Sequence, residues 1–359
     1  MRPVPRSSVP VSAASFKDCD AILDTRSPAE FAEDHVPGAI SCPVLDNEER
    51  ARVGTLYKQV SPFDAKKLGA ALVARNIARH VETAFISKEK NWRPLVYCWR
   101  GGKRSGAMTH VLREIGWDAV ALEGGYKAYR RFVVESLATL PRNCSFTVIH
   151  GATGSGKSRL LRTLRASGAQ VLDLEELAAH RGSVLGSLPG LPQPTQKMFE
   201  SLLLRELDGF DLRKEIFVEG ESKKIGQLQI PEALIERMRA SNCVVVQAGL
   251  ETRIALLLDE YRHFFADPAA LAAQLDCLAG LHGREKIGGW QALAAAGDWH
   301  ALVARLLEEH YDAAYRRSAA RNFTRLADAS VYHIGSPQQS AFEHLAGSIL
   351  RDRAEAVTA

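Results

Sequence analysis

Two stretches of this 359-residue chain bring together residue types that do chemistry. The first is Tyr97-Cys98-Trp99-Arg100-Gly101-Gly102-Lys103-Arg104-Ser105. A thiolate, not a thiol, is the nucleophile, and its pKa falls near cations and helix N-termini. Arg100, Lys103 and Arg104 supply cations, and Gly101 and Gly102 let the backbone turn its N–H groups inward as an anion nest. Ser105 opens a predicted helix, Ser105–Ile115. The pattern predicts a nucleophilic Cys98 beside an oxyanion site. Cys19, Cys42, Cys144, Cys243 and Cys277 lack such surroundings and read as structural. No C-x-x-C pair exists, which excludes a zinc knuckle and a thioredoxin motif.

The second stretch, Gly151-Ala152-Thr153-Gly154-Ser155-Gly156-Lys157-Ser158, fits G-x-x-x-x-G-K-[ST]. It lies between a predicted strand, Phe146–His150, and a predicted helix, Arg159–Ala166, which is the context this phosphate cradle requires. Backbone N–H groups and the helix N-terminus face the phosphates, Lys157 adds a point charge, and Ser158 can ligand Mg2+. The cradle selects a di- or triphosphate, not adenosine. Glu219 ends another predicted strand, Ile216–Glu219, where a metal-associated carboxylate would sit; a surface glutamate fits the pattern as well. Arg317, Arg321 and Arg325 are spaced i, i+4, i+8 with no acidic residue between Ala313 and Ala327. With Tyr315 and Phe323 nearby, whose rings could stack on bases, they are candidate nucleic-acid contacts, or a solvated helix face.

Elements must place these stretches. Asp20–Asp24 reads as a short buried strand. Ser27, Pro28 and Glu30 form a helix start with a capping box, and His35–Ile40 turns into another strand. Pro94–Tyr97 is a strand ending at Cys98, and Ala119–Leu122 is a further strand. After a boundary near Leu140-Pro141-Arg142-Asn143 come strands Phe146–His150, Gln170–Leu174, Ile216–Glu219, Val244–Ala248 and Val331–Ile334. Glu251 to Arg325 reads as mostly helical. Alternating strands and helices predict an α/β chain with parallel sheets, in two domains, 1–140 and 141–359. The first 15 residues, rich in Pro and Ser, are expected to fray.

With 46% hydrophobic and 25% charged residues, the composition excludes a disordered, collagen-like or disulfide-stapled chain. The net charge of +4 permits a polyanionic partner without requiring one. MRPVPRSSVPVSAASF lacks an apolar h-region, and no run of about 18 apolar residues occurs, so neither a signal peptide nor a membrane span is expected. A reduced cytoplasm is the expected location.

Leu23-Asp24-Thr25-Arg26-Ser27, Glu30-Phe31, His35-Val36-Pro37-Gly38-Ala39-Ile40 and the Cys98 loop resemble a rhodanese domain. That family carries sulfur as a persulfide on the loop cysteine. One feature departs from it: Arg104 follows Cys98 by six positions rather than five. This C-x5-R spacing is that of cysteine phosphatases and suggests a loop sized for a phosphorus centre.

The order of this domain and the phosphate cradle is distinctive. With it stand His180-Arg181-Gly182-Ser183, Glu219-Gly220-Glu221-Ser222, and His310-Tyr311-Asp312 with Tyr315-Arg316-Arg317-Ser318. Together these resemble the tRNA 2-selenouridine synthase family. The resemblance implies a rhodanese-like N-terminal parallel-sheet domain and a P-loop NTPase-like α/β domain with a helical C-terminal region. It implies an enzyme that replaces sulfur by selenium in wobble 2-thiouridine. S-geranylation by geranyl diphosphate would precede selenation by selenophosphate. Catalytic Cys98 with Arg100, Gly101, Gly102, Lys103, Arg104 and Ser105 would bind selenophosphate. Gly151, Thr153, Gly154, Ser155, Gly156, Lys157 and Ser158 would bind the diphosphate. The implied partners are the tRNA anticodon region and a selenophosphate-supplying enzyme, with no membrane. No tightly bound cofactor and no protein-held metal is expected, apart from Mg2+ with the diphosphate. A geranyl tail needs an apolar groove; the leucine-rich stretches Met198–Leu207 and Ile254–Leu258 are candidates, although core packing explains their leucines better. Three other readings stay open: an ATP-dependent tRNA sulfurtransferase with a persulfide on Cys98, a cysteine phosphatase using Asp24, and a nucleotide-gated binding module.

Overall fold

The computed structural model of the chain describes residues 8–183, 185–313, 315 and 323–358. The chain divides into two compact units. Unit 1 is Met1–Ser136 with Thr195–Asp208, and unit 2 is Leu137–Pro194 with Gly209–Ala359.

Unit 1 is built on β1 (Ser8–Val9), β2 (Ala21–Asp24), β3 (Ile40–Ser41), β4 (Pro94–Tyr97) and β5 (Val120–Leu122). They form one parallel sheet in the order β1-β5-β4-β2-β3. All four residues of β4 are buried, as a central parallel strand covered on both faces requires. Leu23, Trp92, Val96, Met108, Leu112 and Trp117 form the core behind it. The expected fraying at the N-terminus is corrected from Ser8 onward. Ser8 and Val9 pair with Ala121 and Leu122, and the Ser12 hydroxyl caps the helix Ala13–Lys17.

The single boundary expected at 140/141 is replaced by three crossings, at 136/137, 194/195 and 208/209. The cause is the helix Gln196–Gly209, whose Phe199, Leu203 and Leu207 make a buried i, i+4, i+8 stripe. Thr195–Asp208 belongs to unit 1, where Ser201 Oγ–H donates to Asp34 Oδ1 at 2.8 Å and Arg130 pairs with Glu200. An apolar stripe demands a partner, but its position along the chain does not say which one.

Unit 2 contains β6 (Ser145–His150), β7 (Gln170–Leu172), β8 (Glu215–Glu219), a hairpin of β9 (Lys224–Ile225) and β10 (Leu228–Gln229), β11 (Asn242–Ala248) and β12 (Ser330–Ile334). Its five-stranded sheet runs β12-β11-β6-β8-β7, all parallel. Ile149, Leu160, Leu164, Phe217, Val246 and Phe342 fill its core. β6 and β8 are neighbours with Ile149 opposite Glu219, so the phosphate cradle and Glu219 leave the sheet at the same edge. In open parallel sheets this C-terminal edge is where ligands bind.

The helical region is a series of short helices from Leu250–Glu260 to Trp299–Leu306, followed by a π-helical turn, Leu307–Tyr311. Phe264, Leu271, Leu275, Trp290, Leu302 and Leu306 form its own core. Gly283 and Gly297, at φ +81° and +72°, interrupt it, since such backbone is left-handed and ends helices. The expected arginine face is corrected at its end. Thr324 and Arg325 lie in a turn, and Arg325 is exposed. Arg317 and Arg321 lie outside the described residues. Phe323 is buried, with its ring 4.3 Å edge-on from His150, so it offers no face to a base.

Candidate functional site

In unit 1, Cys98 sits one residue beyond β4. Its Sγ is nearly inaccessible and accepts two hydrogen bonds, from the Gly102 N–H and the Ser105 hydroxyl, both at 3.2 Å. Burial alone would raise this thiol. The Ser105 hydroxyl and the backbone N–H groups of Ser105, Gly102 and Arg100 outweigh it, and the pKa lies below the ordinary thiol range. Cys42, without such donors, is pushed up to about 12 by burial. The helix spans Lys103–Ile115 with Gly102 at its N-cap, two residues earlier than the predicted start. Lys103, Arg104 and Ser105 therefore belong to its first turn, where free N–H groups point at an anion.

Arg100, Gly101, Gly102 and Lys103 are exposed around the buried sulfur. Arg104, the arginine of the C-x5-R spacing, is already paired: its guanidinium binds Glu30 at 2.7 and 3.3 Å. Burial would raise Glu30, but the Arg104 hydrogen bond and the Ser27 N–H hold it down to about 2. Arg104 thus stiffens the loop from a salt bridge, leaving Arg100 and Lys103 as the exposed cations of the anion site.

Sequence reasoning missed Gly124 and Gly125. The Tyr126 N–H donates to Cys98 O at 2.8 Å and the Lys127 N–H to Trp99 O at 3.0 Å, so the start of the helix Gly125–Thr139 holds the cysteine loop. Gly125 has φ +56°, and a Cβ there would lie 2.2 Å from Cys98 O and 2.4 Å from Gly101 N. The signal available was a Gly-Gly pair one residue after a predicted strand. Asp24 is not free to act as an acid. It is buried and clamped by Arg26, which also lies 3.9 Å over the Tyr126 ring. The phosphatase reading loses its candidate acid there.

In unit 2, Gly151–Ser158 forms the turn between β6 and the helix Lys157–Ala166. Gly154 and Gly156 take φ +78° and +82°, which a side chain would resist. Gly156 also packs so closely that a Cβ would lie 2.6 Å from the Phe342 ring. Lys157 Nζ donates to Gly151 O at 2.8 Å, folded across the mouth of the loop. Ser155 is buried with its hydroxyl unpartnered, and Thr153 O accepts from Arg253 Nε at 2.9 Å.

The loop opens on a pocket of about 430 Å³. Glu175, Arg181, Gly182, Glu219, Glu221 and Tyr315 line it together with Lys157 and Ser158. Arg181–Ser183, Glu219–Glu221 and His310, Tyr311 and Tyr315, far apart in sequence, thus converge on the pocket at this loop. Glu219 accepts the Glu175 N–H at 2.8 Å through Oε1, while its Oε2 is buried without a hydrogen-bond partner. The Ser158 hydroxyl donates to Glu175 Oε2 at 3.0 Å. An unpartnered buried carboxylate oxygen near the cradle's serine fits a Mg2+ ion, which takes one or two protein ligands and completes its shell with phosphate and water. Among the described residues, no group of three or more His, Cys, Asp or Glu could hold a metal. Burial and the neighbouring Asp173, Glu175 and Glu221 raise Glu219 well above the usual carboxylate range.

Comparison with known proteins agrees with both halves. Residues 11–132 match the rhodanese-like domain and 144–278 match the tRNA 2-selenouridine synthase AAA domain. A tRNA 2-selenouridine synthase of Nitrosomonas europaea is 36% identical over 67% of this chain and 63% of its own. Those of Nitrosomonas eutropha and Shewanella halifaxensis are each 37% identical, over 73% and 69% of this chain and 67% of their own. The match thus spans about two thirds of the length of these relatives. No helix among the described residues is long and apolar enough to cross a membrane.

Proposed function

The chain belongs to the tRNA 2-selenouridine synthase family, and from that premise we propose that it exchanges sulfur for selenium in tRNA 2-thiouridine in two steps. In the first step the 2-thio sulfur attacks C1 of geranyl diphosphate and the base gives up its N3 proton to solvent. The C–O bond breaks and pyrophosphate leaves with the electron pair. The P-loop N–H groups and Lys157 stabilise the charge that develops on it. Mg2+, held by Ser158 with Glu175 or Glu219, would add charge neutralisation there. Alkylation turns a poor leaving group into geranyl thiolate. In the second step the selenium of selenophosphate attacks C2 of the base, and geranyl thiolate departs. Water then cleaves the P–Se bond, leaving 2-selenouridine and phosphate with no change in redox state. The Cys98 loop would bind selenophosphate through Arg100, Lys103 and the first-turn N–H groups, and the Cys98 thiol, its pKa lowered, would assist by giving its proton to the departing geranyl thiolate. Arg325, with Arg317 and Arg321, would contact the tRNA backbone in the anticodon region.

The observation that carries this reading is the pairing, in one chain, of a thiol held low beside an anion nest with an intact phosphate cradle. The test is nucleoside mass analysis of 2-thiouridine tRNA incubated with geranyl diphosphate, selenophosphate, both or neither. The expected products are S-geranyl-2-thiouridine with the first alone and 2-selenouridine with both. Lys157→Ala is expected to lose geranylation yet still selenate pre-geranylated tRNA, and Cys98→Ser to do the reverse. No modified base under any condition rejects the proposal. Thiolation dependent on ATP and a persulfide donor would establish the sulfurtransferase instead.

A further inference from the structure

His310 joins the wall of the phosphate pocket from an uncommon piece of backbone, the π-helical turn Leu307–Tyr311. Such a turn closes its hydrogen bonds over five residues instead of four, re-aims the side chains around it and recurs at functional sites. Both of its ends are tied to the phosphate loop. Leu307 packs with Leu257, whose Cδ1 lies where a Cβ on Gly154 would come within 2.9 Å. Asp312, just past the turn, clamps Arg253, which holds the Thr153 carbonyl.

His310 is 8% exposed, and its Nδ1 lies 2.9 Å from Nε2 of His282, the last residue of the helix Ala279–His282. The two rings meet at 79° with centroids 5.0 Å apart. One of the two facing nitrogens carries the shared proton, so the pair can pass a proton from ring to ring. His282 is half-buried, edge-on to Trp290. The pair thus runs from the pocket wall toward water. Partial burial and Lys286 lower the His282 pKa against the pull of Glu309, so its ring is neutral at pH 7. Around His310 the pocket wall carries Lys157, Glu175, Glu221 and Tyr311. Burial and Glu175 push Glu221 up to about 8, so that carboxyl keeps its own proton at pH 7.

The alkylation step set out above releases a proton. A neutral thiocarbonyl is a weak nucleophile, and its sulfur gains charge as the N3–H bond breaks. We propose that His310 is the general base of that step, with His282 as its outlet. His310 takes the N3 proton at Nε2 as the sulfur–carbon bond forms. The pair then shares one extra proton across its hydrogen bond and loses it to water at His282. One proton enters and one leaves, and the rings regain their starting tautomers through water once product has left the pocket. This rests on the assignment of alkylation to the P-loop pocket made above.

The test uses the full chain, 2-thiouridine tRNA and geranyl diphosphate in single-turnover reactions across pH, which keep product release out of the rate. His310→Gln can still hydrogen-bond but cannot take up a proton. It should lower the geranylation rate at pH 7 about a hundredfold, with half-saturating geranyl diphosphate within about threefold. The deficit should close as rising pH ionises N3 without help, and imidazole should restore part of the rate to His310→Ala at pH 7. His282→Gln should show a smaller loss of the same form. A deficit of one size at every pH, with no rescue by imidazole, would make His310 a packing residue and overturn the proposal while the two-step reading stands. A pH 7 rate within about threefold of the unaltered chain would do the same. If the unaltered chain forms no S-geranyl product, the two-step reading itself falls and this proposal with it. If His310→Gln no longer binds inorganic pyrophosphate, the pocket has been disturbed and His282→Gln decides alone. An unmoved pH profile in that variant then overturns the proposal.

Discussion

Ser105→Ala should move the reactivity of Cys98 in a way that a packing defect would not. The Ser105 hydroxyl has one proton and two acceptors, Cys98 Sγ and Gly102 O, both at 3.2 Å. A hydrogen bond to a charged group contributes about 1.5–3 kcal/mol, and shared between two acceptors about half of that. Its loss should therefore raise the Cys98 pKa by about one unit, or about 1.4 kcal/mol. Well below the pKa the thiolate fraction falls about tenfold. The more basic thiolate is intrinsically about threefold more nucleophilic, because the Brønsted slope is about 0.4–0.5. Alkylation of Cys98 should thus be about threefold slower at low pH and about threefold faster at high pH, so the two profiles cross. The assay is iodoacetamide labelling across pH, read on the Cys98 peptide by mass spectrometry because five other cysteines are present. Parallel profiles, slowed at every pH, would mean that Ser105 acts through packing. An unmoved profile would mean that the backbone N–H groups alone set the thiol.

Other perturbations have equally direct consequences. Gly125→Ala must move Cys98 O from a 2.2 Å contact by about 1 Å, on top of about 1–2 kcal/mol for its left-handed backbone. Selenation should drop about a hundredfold while geranylation is retained, and equal losses of both would contradict the role given to the loop. Arg26→Met leaves Asp24 buried and unpaired, and urea unfolding should show a loss of about 3–5 kcal/mol. A loss below about 1 kcal/mol would show that water reaches Asp24. His150 is buried and beside Lys157, which lowers its pKa to about 4. A neutral histidine in the fold stabilises above its ordinary pKa near 6.5, and that stability is lost as pH falls toward 4. Urea unfolding at pH 5 should therefore show about 2 kcal/mol less stability than at pH 7, with the difference shrinking in His150→Asn. An unchanged pH dependence in that variant would assign the loss to other groups.

Much of the fold is legible in the chain. β4, β6 and β8 are continuous apolar runs ending in Cys98, the phosphate cradle and Glu219, and they appear where periodicity and turn residues place them. The cradle needs no more than its own eight residues, because its glycines, lysine and serine act through backbone geometry local to the turn. The thiol's environment is local as well: its donors lie within seven residues of Cys98. Other features were illegible because they depend on distant partners. Glu30, 74 residues before Arg104, binds that arginine, and nothing in the C-x5-R spacing foretells it. Asp24 is occupied by Arg26 only two residues on, but the Tyr126 ring against which Arg26 is held lies 100 residues further along the chain.

The sequence by itself marked the two candidate sites, since each is encoded in a short run whose spacing suffices. It also determined the α/β class and the strands, because hydrophobic period and chain length decide them. Only the tertiary structure decided that the helix Gln196–Gly209 packs in unit 1, that Gly125 supports the cysteine loop, and that Arg181–Ser183, Glu219–Glu221, His310, Tyr311 and Tyr315 line the pocket at the Gly151–Ser158 loop. Only it decided that Ile254 and Leu257 pack with Leu307 in the helical region while Leu203 and Leu207 pack in unit 1. An apolar residue states that it must leave water; which surface receives it depends on contacts between residues far apart in the chain.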